Sequence, residues 1–202
     1  LVPQDPQTSF NPRLSIRSSI EFNLRAQRVD KPERARLVAE AMDRVGMPAA
    51  YGQRFPHELS GGQLQRAAIA RALVTSPELI VCDEAVSALD KSIQAQVLNL
   101  LVELQQDLGM AYLFISHDLS VVEHLSDRVL VMYLGRVVEE ASAAQLWARP
   151  RHPYTEALLS AAPSSGRTRI MLTGDPPSPV NPPPGRTSRT RCPGVLPACA
   201  AE

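Results

Sequence analysis

Two short, continuously apolar segments constrain the fold of this chain most. They are residues 79–82 and residues 112–115, and each runs directly into polar residues. A continuous apolar run of this length is typical of a strand that is buried on both faces of a parallel sheet. Between the two runs, residues 93–108 carry apolar side chains at helical spacing, and Gly109 follows as a helix terminator. A strand, a helix and a second strand in this order predict a right-handed βαβ unit, and therefore an α/β fold with a parallel sheet.

Polar side chains follow both predicted strands. Asp83 and Glu84 come directly after the first, and His117 comes shortly after the second. In an open parallel sheet, ligands bind beyond the carboxyl ends of the strands, so these three side chains are expected to converge on one site. The pair suits a magnesium–nucleotide complex, in which Asp83 would hold the ion, directly or through water, and Glu84 would polarise the attacking water. His117 would hydrogen-bond the γ-phosphate. Acidic residues also end many strands without binding anything, so the pair alone leaves both interpretations open.

Residues 59–63, Leu-Ser-Gly-Gly-Gln, precede another segment with helical spacing. Gly61 and Gly62 would let the backbone approach a ligand without a Cβ in the way, and the helix N-terminus offers free N–H groups. The hydroxyl of Ser60 adds a further donor. Such an assembly predicts an anion site, and the natural anion is a terminal phosphate. An ordinary Ser-capped helix is the alternative, which the presence of Gln63 and the two strand-end sites disfavours.

With further segments, these residues resemble the ATP-binding cassette (ABC) ATPases. In chain order the matching elements are the Q-loop glutamine (Gln4), the signature sequence (residues 59–63), the Walker B strand with its catalytic glutamate (residues 79–84), the D-loop (residues 87–90) and the switch histidine (His117). The order and spacing of all five agree with the family.

The resemblance implies a P-loop NTPase fold that binds ATP and Mg²⁺. It implies catalytic roles for Glu84 and His117, and nucleotide contacts from the signature residues Ser60, Gly61, Gly62 and Gln63 and from Asp90 and Gln4. Gln4 would also lie near the metal ion beside Asp83. It further implies a head-to-tail dimer with a second ABC ATPase subunit, in which each signature covers the nucleotide held by the other subunit.

Other segments narrow the resemblance to the importer branch for oligopeptides, dipeptides and nickel. They are residues 4–6, 9–13, 55–58, 92–101 and 152–155, and three parts of a Pro-rich tail, residues 177–179, 181–183 and 191–193. The branch implies an ATPase subunit that drives peptide import, bound to transmembrane permease subunits at the cytoplasmic face of the bacterial inner membrane. Nickel and glutathione importers share most of these segments and stay open as alternatives.

The resemblance also bears on the tail, because members of this branch often carry a cysteine near the position of Arg186 and some bind an iron–sulfur cluster there. In this tail only Cys192 and Cys199 are present. A four-iron cluster normally requires four thiolates, so no cluster is expected here.

One element of the family does not occur in the 202 residues, namely the Walker A pattern Gly-x-x-x-x-Gly-Lys-Ser/Thr. That loop supplies the backbone cradle for the phosphates, a lysine for the β- and γ-phosphates and a hydroxyl for Mg²⁺. We therefore expect the chain to be the C-terminal part of such an ATPase and to be inactive alone. An inert remnant of a broken gene is the alternative.

The predicted organisation is a partial ABC ATPase domain at residues 1–140 followed by a transporter-type extension at residues 141–202. Within the first, the helical signature subdomain covers about residues 14–75 and the Walker B to switch region covers residues 78–140. No nucleic-acid partner is expected, because 21 basic and 21 acidic residues balance and form no basic stripe. A DNA-repair ATPase with the same signature would need a long coiled coil before it, and residues 30–59 are too short.

Overall fold

The structure is a computed structural model, and it describes residues 1–162, 166–172, 174–175, 177–178, 180, 183–192 and 194–200. Parts of the Pro-rich tail named above, at positions 179, 181, 182 and 193, lie outside the described residues. The chain divides into two compact units, residues 1–118 and residues 119–202. No helix in the described part of the chain has both the length and the apolar character needed to cross a membrane.

The first unit combines helices with a parallel pair of strands, as predicted. Its elements in chain order are α1 (Pro6–Ser9), α2 (Ile16–Ala26), α3 (Lys31–Arg44), α4 (Gly61–Leu73), β1 (Leu79–Asp83), α5 (Lys91–Leu108) and β2 (Ala111–Ile115). Short 3₁₀ turns at Ala49–Gln53 and Pro56–Glu58 lead into α4. The expected strand–helix–strand unit is therefore present as β1, α5 and β2.

Strands β1 and β2 pair in parallel, in a register that runs from Leu79 opposite Ala111 to Asp83 opposite Ile115. Val2 lies on the other side of β1. Its N–H donates to the carbonyl of Val81 over 2.8 Å, and its own carbonyl accepts the N–H of Asp83 over 2.9 Å. The segment before Gln4 is thus hydrogen-bonded to the strand that carries Asp83, which brings both residues to the same edge of the sheet.

The prediction that both strands are buried on both faces is wrong for one face. Ile80 and Cys82 are buried, but Leu79 is 54% exposed, Leu113 47% and Ile115 46%. Side chains alternate between the faces of a strand, and the described residues cover only the face that carries Ile80 and Cys82. A continuous apolar run predicts a strand correctly but does not tell how many of its faces are covered.

The core of the first unit lies among the helices before β1. Helix α4 packs against α1, α2, α3 and α5. Its inward side chains Leu64 and Ile69 are fully buried together with Ile16 and Ile20 of α2 and Val38 of α3. The residues of the signature segment therefore stand at the start of the most enclosed helix of this unit, which gives that segment a rigid base.

The second unit contains an antiparallel hairpin between short helices. Its elements are α6 (Leu119–Leu125), β3 (Arg128–Tyr133), β4 (Arg136–Ser142), α7 (Ala143–Ala148) and α8 (Pro153–Ser160). The hairpin turns at Gly135, which has a φ of +74°. The contacts of the chain divide between Asp118 and Leu119, whereas the domain boundary proposed from the sequence lies at residues 140 and 141; that boundary stays a prediction.

Candidate functional site

A three-residue cluster lies at the carboxyl edge of β1 and β2 and is centred on Glu84. Oε2 of Glu84 accepts a hydrogen bond of 2.8 Å from Nε2 of Gln4, and Oε1 lies 3.0 Å from Nδ1 of His117. The carboxylate is partly exposed and the imidazole largely so. Glu84 thus meets Gln4, 80 positions away in the sequence, and His117, 33 positions away. The strand-end argument predicted the meeting of Glu84 and His117.

The backbone of Glu84 explains why its carboxylate has a fixed direction. Its φ is +46°, a region that residues with a Cβ rarely adopt. The N–H of Glu84 donates to the carbonyl of Ile115 over 2.9 Å, and both the N–H and the hydroxyl of Ser87 donate to the carbonyl of Glu84 over 3.0 Å. Strained backbone persists only where its surroundings hold it in place, and such positions cluster at functional sites. No feature of the sequence indicated this conformation.

Asp83 and Gln4 carry side-chain oxygens of the kind that Mg²⁺ prefers. Asp83 is exposed at the end of β1, and Gln4 directs its Nε2 to Glu84, which leaves its amide oxygen for a cation. Among the described residues, no group of three or more His, Cys, Asp or Glu side chains is arranged to hold a metal. Mg²⁺ commonly takes one or two protein oxygens and completes its shell with water and phosphate, so this small donor set suits a nucleotide-borne ion.

The signature residues form a second cluster at the start of α4. Oγ of Ser60 accepts from the N–H of Gln63 over 3.3 Å, and Oε1 of Gln63 accepts from the N–H of Ser60 over 3.0 Å. This reciprocal capping box engages both side chains that the sequence assigned to the anion. The N–H groups of Gly61 and Gly62 belong to the first helical turn, where no carbonyl of the helix can accept them. The backbone, more than the side chains, is available to an anion here.

The two glycines of this segment have different surroundings. A Cβ on Gly61 would lie 3.7 Å from Cδ2 of Leu89, which is an ordinary contact, but a Cβ on Gly62 would lie 2.5 Å from Cγ2 of Ile93. The sequence argument assigned both glycines to the approach of a ligand. In the structure, Gly62 is also required by the packing of α4 against α5.

Asp90 is the N-cap of α5, where its Oδ1 accepts the N–H of Ile93 over 3.0 Å. The next residue, Lys91, forms an ion pair of 2.9 Å with Asp118. This contact joins the start of α5 to the segment after β2 that carries His117. The pairing was missed from the sequence, because nothing in the spacing of the two residues indicates it.

The described contacts keep the two clusters separate. Gln4, Glu84 and His117 form no hydrogen bond with Ser60 or Gln63 within the part of the chain that the structure describes.

Nearby Cys82 is not a candidate nucleophile, since burial raises the pKa of its thiol to about 12. His152 caps α8 by accepting the N–H of Tyr154 at Nδ1.

Comparisons with known proteins agree with these features. A family model described as ABC transporter matches residues 1–87, and one described as oligopeptide/dipeptide transporter, C-terminal region, matches residues 138–199. A putative peptide import ATP-binding protein of Brucella ovis is 54% identical over 98% of this chain and 64% of its own length. The oligopeptide transport ATP-binding protein AppF of Bacillus subtilis is 53% identical over 100% of this chain and 64% of its own. The dipeptide transport ATP-binding protein DppF of Haemophilus influenzae is 51% identical over 95% and 60%, so the chain spans less than two thirds of these relatives.

Two solved structures are similar to the fold described above. One is cbiO1 of Clostridium perfringens, part of the ABC transporter complex cbiONQ, with a TM-score of 0.66 and 30% identity over 73% of this chain and 58% of that one. The other is the ATP-binding cassette MJ0796 in a dimeric, post-hydrolysis state with ADP and Pi. Its TM-score is 0.60, with 27% identity over 70% of this chain and 62% of that one. The similarity supports the P-loop NTPase architecture that was expected from the motifs.

Proposed function

We propose that this chain, which is similar to the ABC transporter family of ATP-binding proteins over nearly its whole length, belongs to that family and serves in the ATPase subunit of a bacterial peptide importer. The observation that carries the proposal is the Glu84 carboxylate, which is held between Gln4 and His117 at the carboxyl edge of the parallel strands. Such an edge is where nucleotides bind in folds of this class. A carboxylate held in this way beside an exposed Asp83 suits magnesium-dependent hydrolysis.

Each residue of the edge has a separate chemical task in this proposal. Glu84 orients the attacking water and accepts its proton, because its oxygens are already aimed by two hydrogen-bonding partners. Asp83 and the amide oxygen of Gln4 would hold Mg²⁺, which would neutralise charge on the phosphates. His117 contacts Glu84 through Nδ1 and has Nε2 for the γ-phosphate. Hydrolysis also needs a phosphate-binding loop, which residues 1–202 do not contain.

In this proposal the signature segment binds the nucleotide held by a second subunit. The free N–H groups of the first turn of α4 and the absence of a side chain at Gly61 suit a terminal phosphate that arrives from outside the chain. The related cassette MJ0796 is a dimer with ADP and Pi, in keeping with a head-to-tail pair of subunits. In the importer, permease subunits would bind this ATPase at the cytoplasmic face of the inner membrane, and Asp90 and Gln63 would line the shared nucleotide site.

Peptides are the proposed cargo because the C-terminal match and the named relatives point to them. The C-terminal region of oligopeptide and dipeptide transporters matches residues 138–199, and the relatives named above carry peptide, oligopeptide or dipeptide transport in their names. The cargo itself would contact the permease subunits, since an ATPase subunit would lie away from the translocation path.

The test is uptake by the native host with and without the gene for the ATPase subunit that contains this chain. Deletion should abolish uptake of a labelled dipeptide or tetrapeptide, and a plasmid copy should restore it. A copy with Glu84→Gln should fail to restore uptake although the protein accumulates normally. Unchanged peptide uptake with lost nickel or glutathione uptake would contradict the proposed cargo but not the ATPase, whereas full restoration by the Glu84→Gln copy would contradict the ATPase assignment.

A further inference from the structure

Arg71 connects the helix of the signature segment to the segment that follows Gln4. It lies in the last turn of α4, and its guanidinium reaches across to α1. Nη1 donates to the carbonyl of Ser9 over 2.8 Å, and Nη2 donates to the hydroxyl of Ser9 over 2.9 Å. The centre of the guanidinium also lies 4.2 Å from the centroid of the Phe10 ring, at cation–π distance.

These contacts are unusual because the guanidinium is half-buried and, among the described residues, its partners Ser9 and Phe10 include no carboxylate. Burial lowers the pKa of Arg71, and no acidic group in the described residues counteracts that effect. A buried cation costs stability unless it is paired and hydrogen-bonded, so an apolar residue would stabilise this position more simply. The directional hydrogen bonds to Ser9 are what an apolar residue could not provide.

The partners of Arg71 are connected to the Glu84 carboxylate through α1 and Gln4. Phe10 is only 3% exposed and anchors the end of α1 in the core. At the other end of α1, Oδ1 of Asp5 accepts the N–H of Gln7 over 2.8 Å. Asp5 follows Gln4, whose Nε2 holds Glu84. A displacement of α4 along its axis would therefore move Ser9 and, through α1, the amide of Gln4.

We propose that Arg71 is a positioning residue that couples the signature helix α4 to the Gln4 segment, so that the two move together when a nucleotide is bound. Its planar fork contacts a carbonyl, a hydroxyl and a ring at once, which a lysine ammonium cannot do. The consequence for catalysis rests on the proposed ATPase function. The coupling itself does not, and it is measurable without nucleotide.

The first experiment is hydrogen exchange of the full chain with Arg71→Lys. The backbone amides of residues 7–10 should exchange about tenfold faster or more, because the loss of one or two hydrogen bonds of ordinary strength releases α1. The matched control is Arg66→Lys. Arg66 lies on the same helix, is also half-buried and donates to a backbone carbonyl over 2.7 Å, but that carbonyl belongs to Val45 at the end of α3. The control should leave residues 7–10 unchanged.

The second experiment separates positioning from simple stabilisation. In a chimera in which residues 1–202 replace the matching part of AppF, Arg71→Lys should lower kcat for ATP about tenfold or more through misplacement of Gln4, with KM changed less than about twofold. Arg66→Lys should change neither. Ser9→Ala should reproduce part of the Arg71→Lys effect and add little to it in the double variant.

Unchanged exchange at residues 7–10 in Arg71→Lys would overturn the proposal, and so would an active chimera whose kcat is insensitive to this substitution. If Arg71→Lys and Arg66→Lys lowered the unfolding temperature and kcat to the same extent, Arg71 would be only a stabilising contact. That result would also overturn the proposal. If the unsubstituted chimera hydrolysed no ATP, the proposed function would fail, while the exchange experiment would still decide the coupling.

Discussion

Gly62, in the first turn of α4, packs against Ile93, near the start of α5, so closely that a Cβ on Gly62 would lie 2.5 Å from Cγ2 of Ile93. The contact fixes the signature segment against the helix that Asp90 caps. Two parts of the proposed nucleotide site are thereby held together by packing, without any polar contact between them in the described residues. The glycine serves the fold as well as the ligand.

Gly62→Ala is therefore expected to destabilise the chain. Ile93 is β-branched, and its Cγ2 cannot rotate away freely, so the free energy of unfolding should fall by about 1–3 kcal/mol, as in other overpacked sites. Urea titration followed by circular dichroism would measure it. The informative control is the double variant with Ile93→Ala, in which the added methyl group should cost much less than in the parent. Equal costs in both backgrounds would show that the contact is not the cause.

Substitutions at Gly61 should affect ATP hydrolysis more than the stability of the chain. Its Cβ position is 3.7 Å from Leu89, so Gly61→Ala should leave the stability of the chain unchanged within about 1 kcal/mol. In the AppF chimera, Gly61→Leu should lower ATP hydrolysis at least about tenfold, because the larger side chain would occupy the space of the terminal phosphate and exclude its contact with the backbone N–H groups. Phosphate release is the measurement. Normal hydrolysis by Gly61→Leu would mean that this segment does not cover a nucleotide.

Glu21 should give the chain a stability that depends on pH. Its carboxylate is partly desolvated, which alone would raise its pKa, but hydrogen bonds from Arg34 at 2.6 Å and Arg25 at 3.2 Å outweigh this and hold the pKa below its ordinary value of 4.5. The folded chain thus loses this proton at a lower pH than the unfolded chain does. The stabilisation is present above about pH 4.5 and disappears as the pH falls through the folded pKa.

The substitution Glu21→Gln should lower the unfolding temperature at pH 7 and have a much smaller effect near pH 3, with a difference on the order of 1 kcal/mol. Glu33→Gln is the matched control, since Glu33 pairs with Arg36 on an exposed helix surface and should contribute little. Differential scanning calorimetry at both pH values is the measurement. A constant effect of Glu21→Gln across this range would contradict the assignment.

Much of the fold follows from local signals in the sequence. Gly109, with a φ of +63°, ends α5, as its place directly after the apolar stripe predicted. The meeting of Glu84 and His117 followed from one topological fact, namely that parallel strands end at the same edge of a sheet. These features depend on a few neighbouring residues or on strand direction alone.

The features that the sequence did not reveal depend on contacts between distant residues. The closeness of Gly62 to Ile93, the fork of Arg71 on Ser9 and the exposure of Leu113 are set by how helices and strands pack, which no spacing encodes. The left-handed backbone of Glu84 is likewise imposed by the carbonyl of Ile115 and by Ser87. The identity of a residue with a Cβ does not indicate that its surroundings will hold its backbone at a positive φ.

The central claim is that Glu84 activates water for ATP hydrolysis, and steady-state phosphate release by the AppF chimera tests it most directly. Glu84→Gln should retain ATP binding and lower kcat by a factor of about 100 or more, because the amide keeps the shape of the carboxylate but cannot accept the proton. Glu78→Gln, the same chemical change just before the other end of β1, should leave kcat unchanged. Residues 1–202 alone should release no phosphate. A Glu84→Gln chimera that hydrolyses ATP at the parental rate would contradict the account.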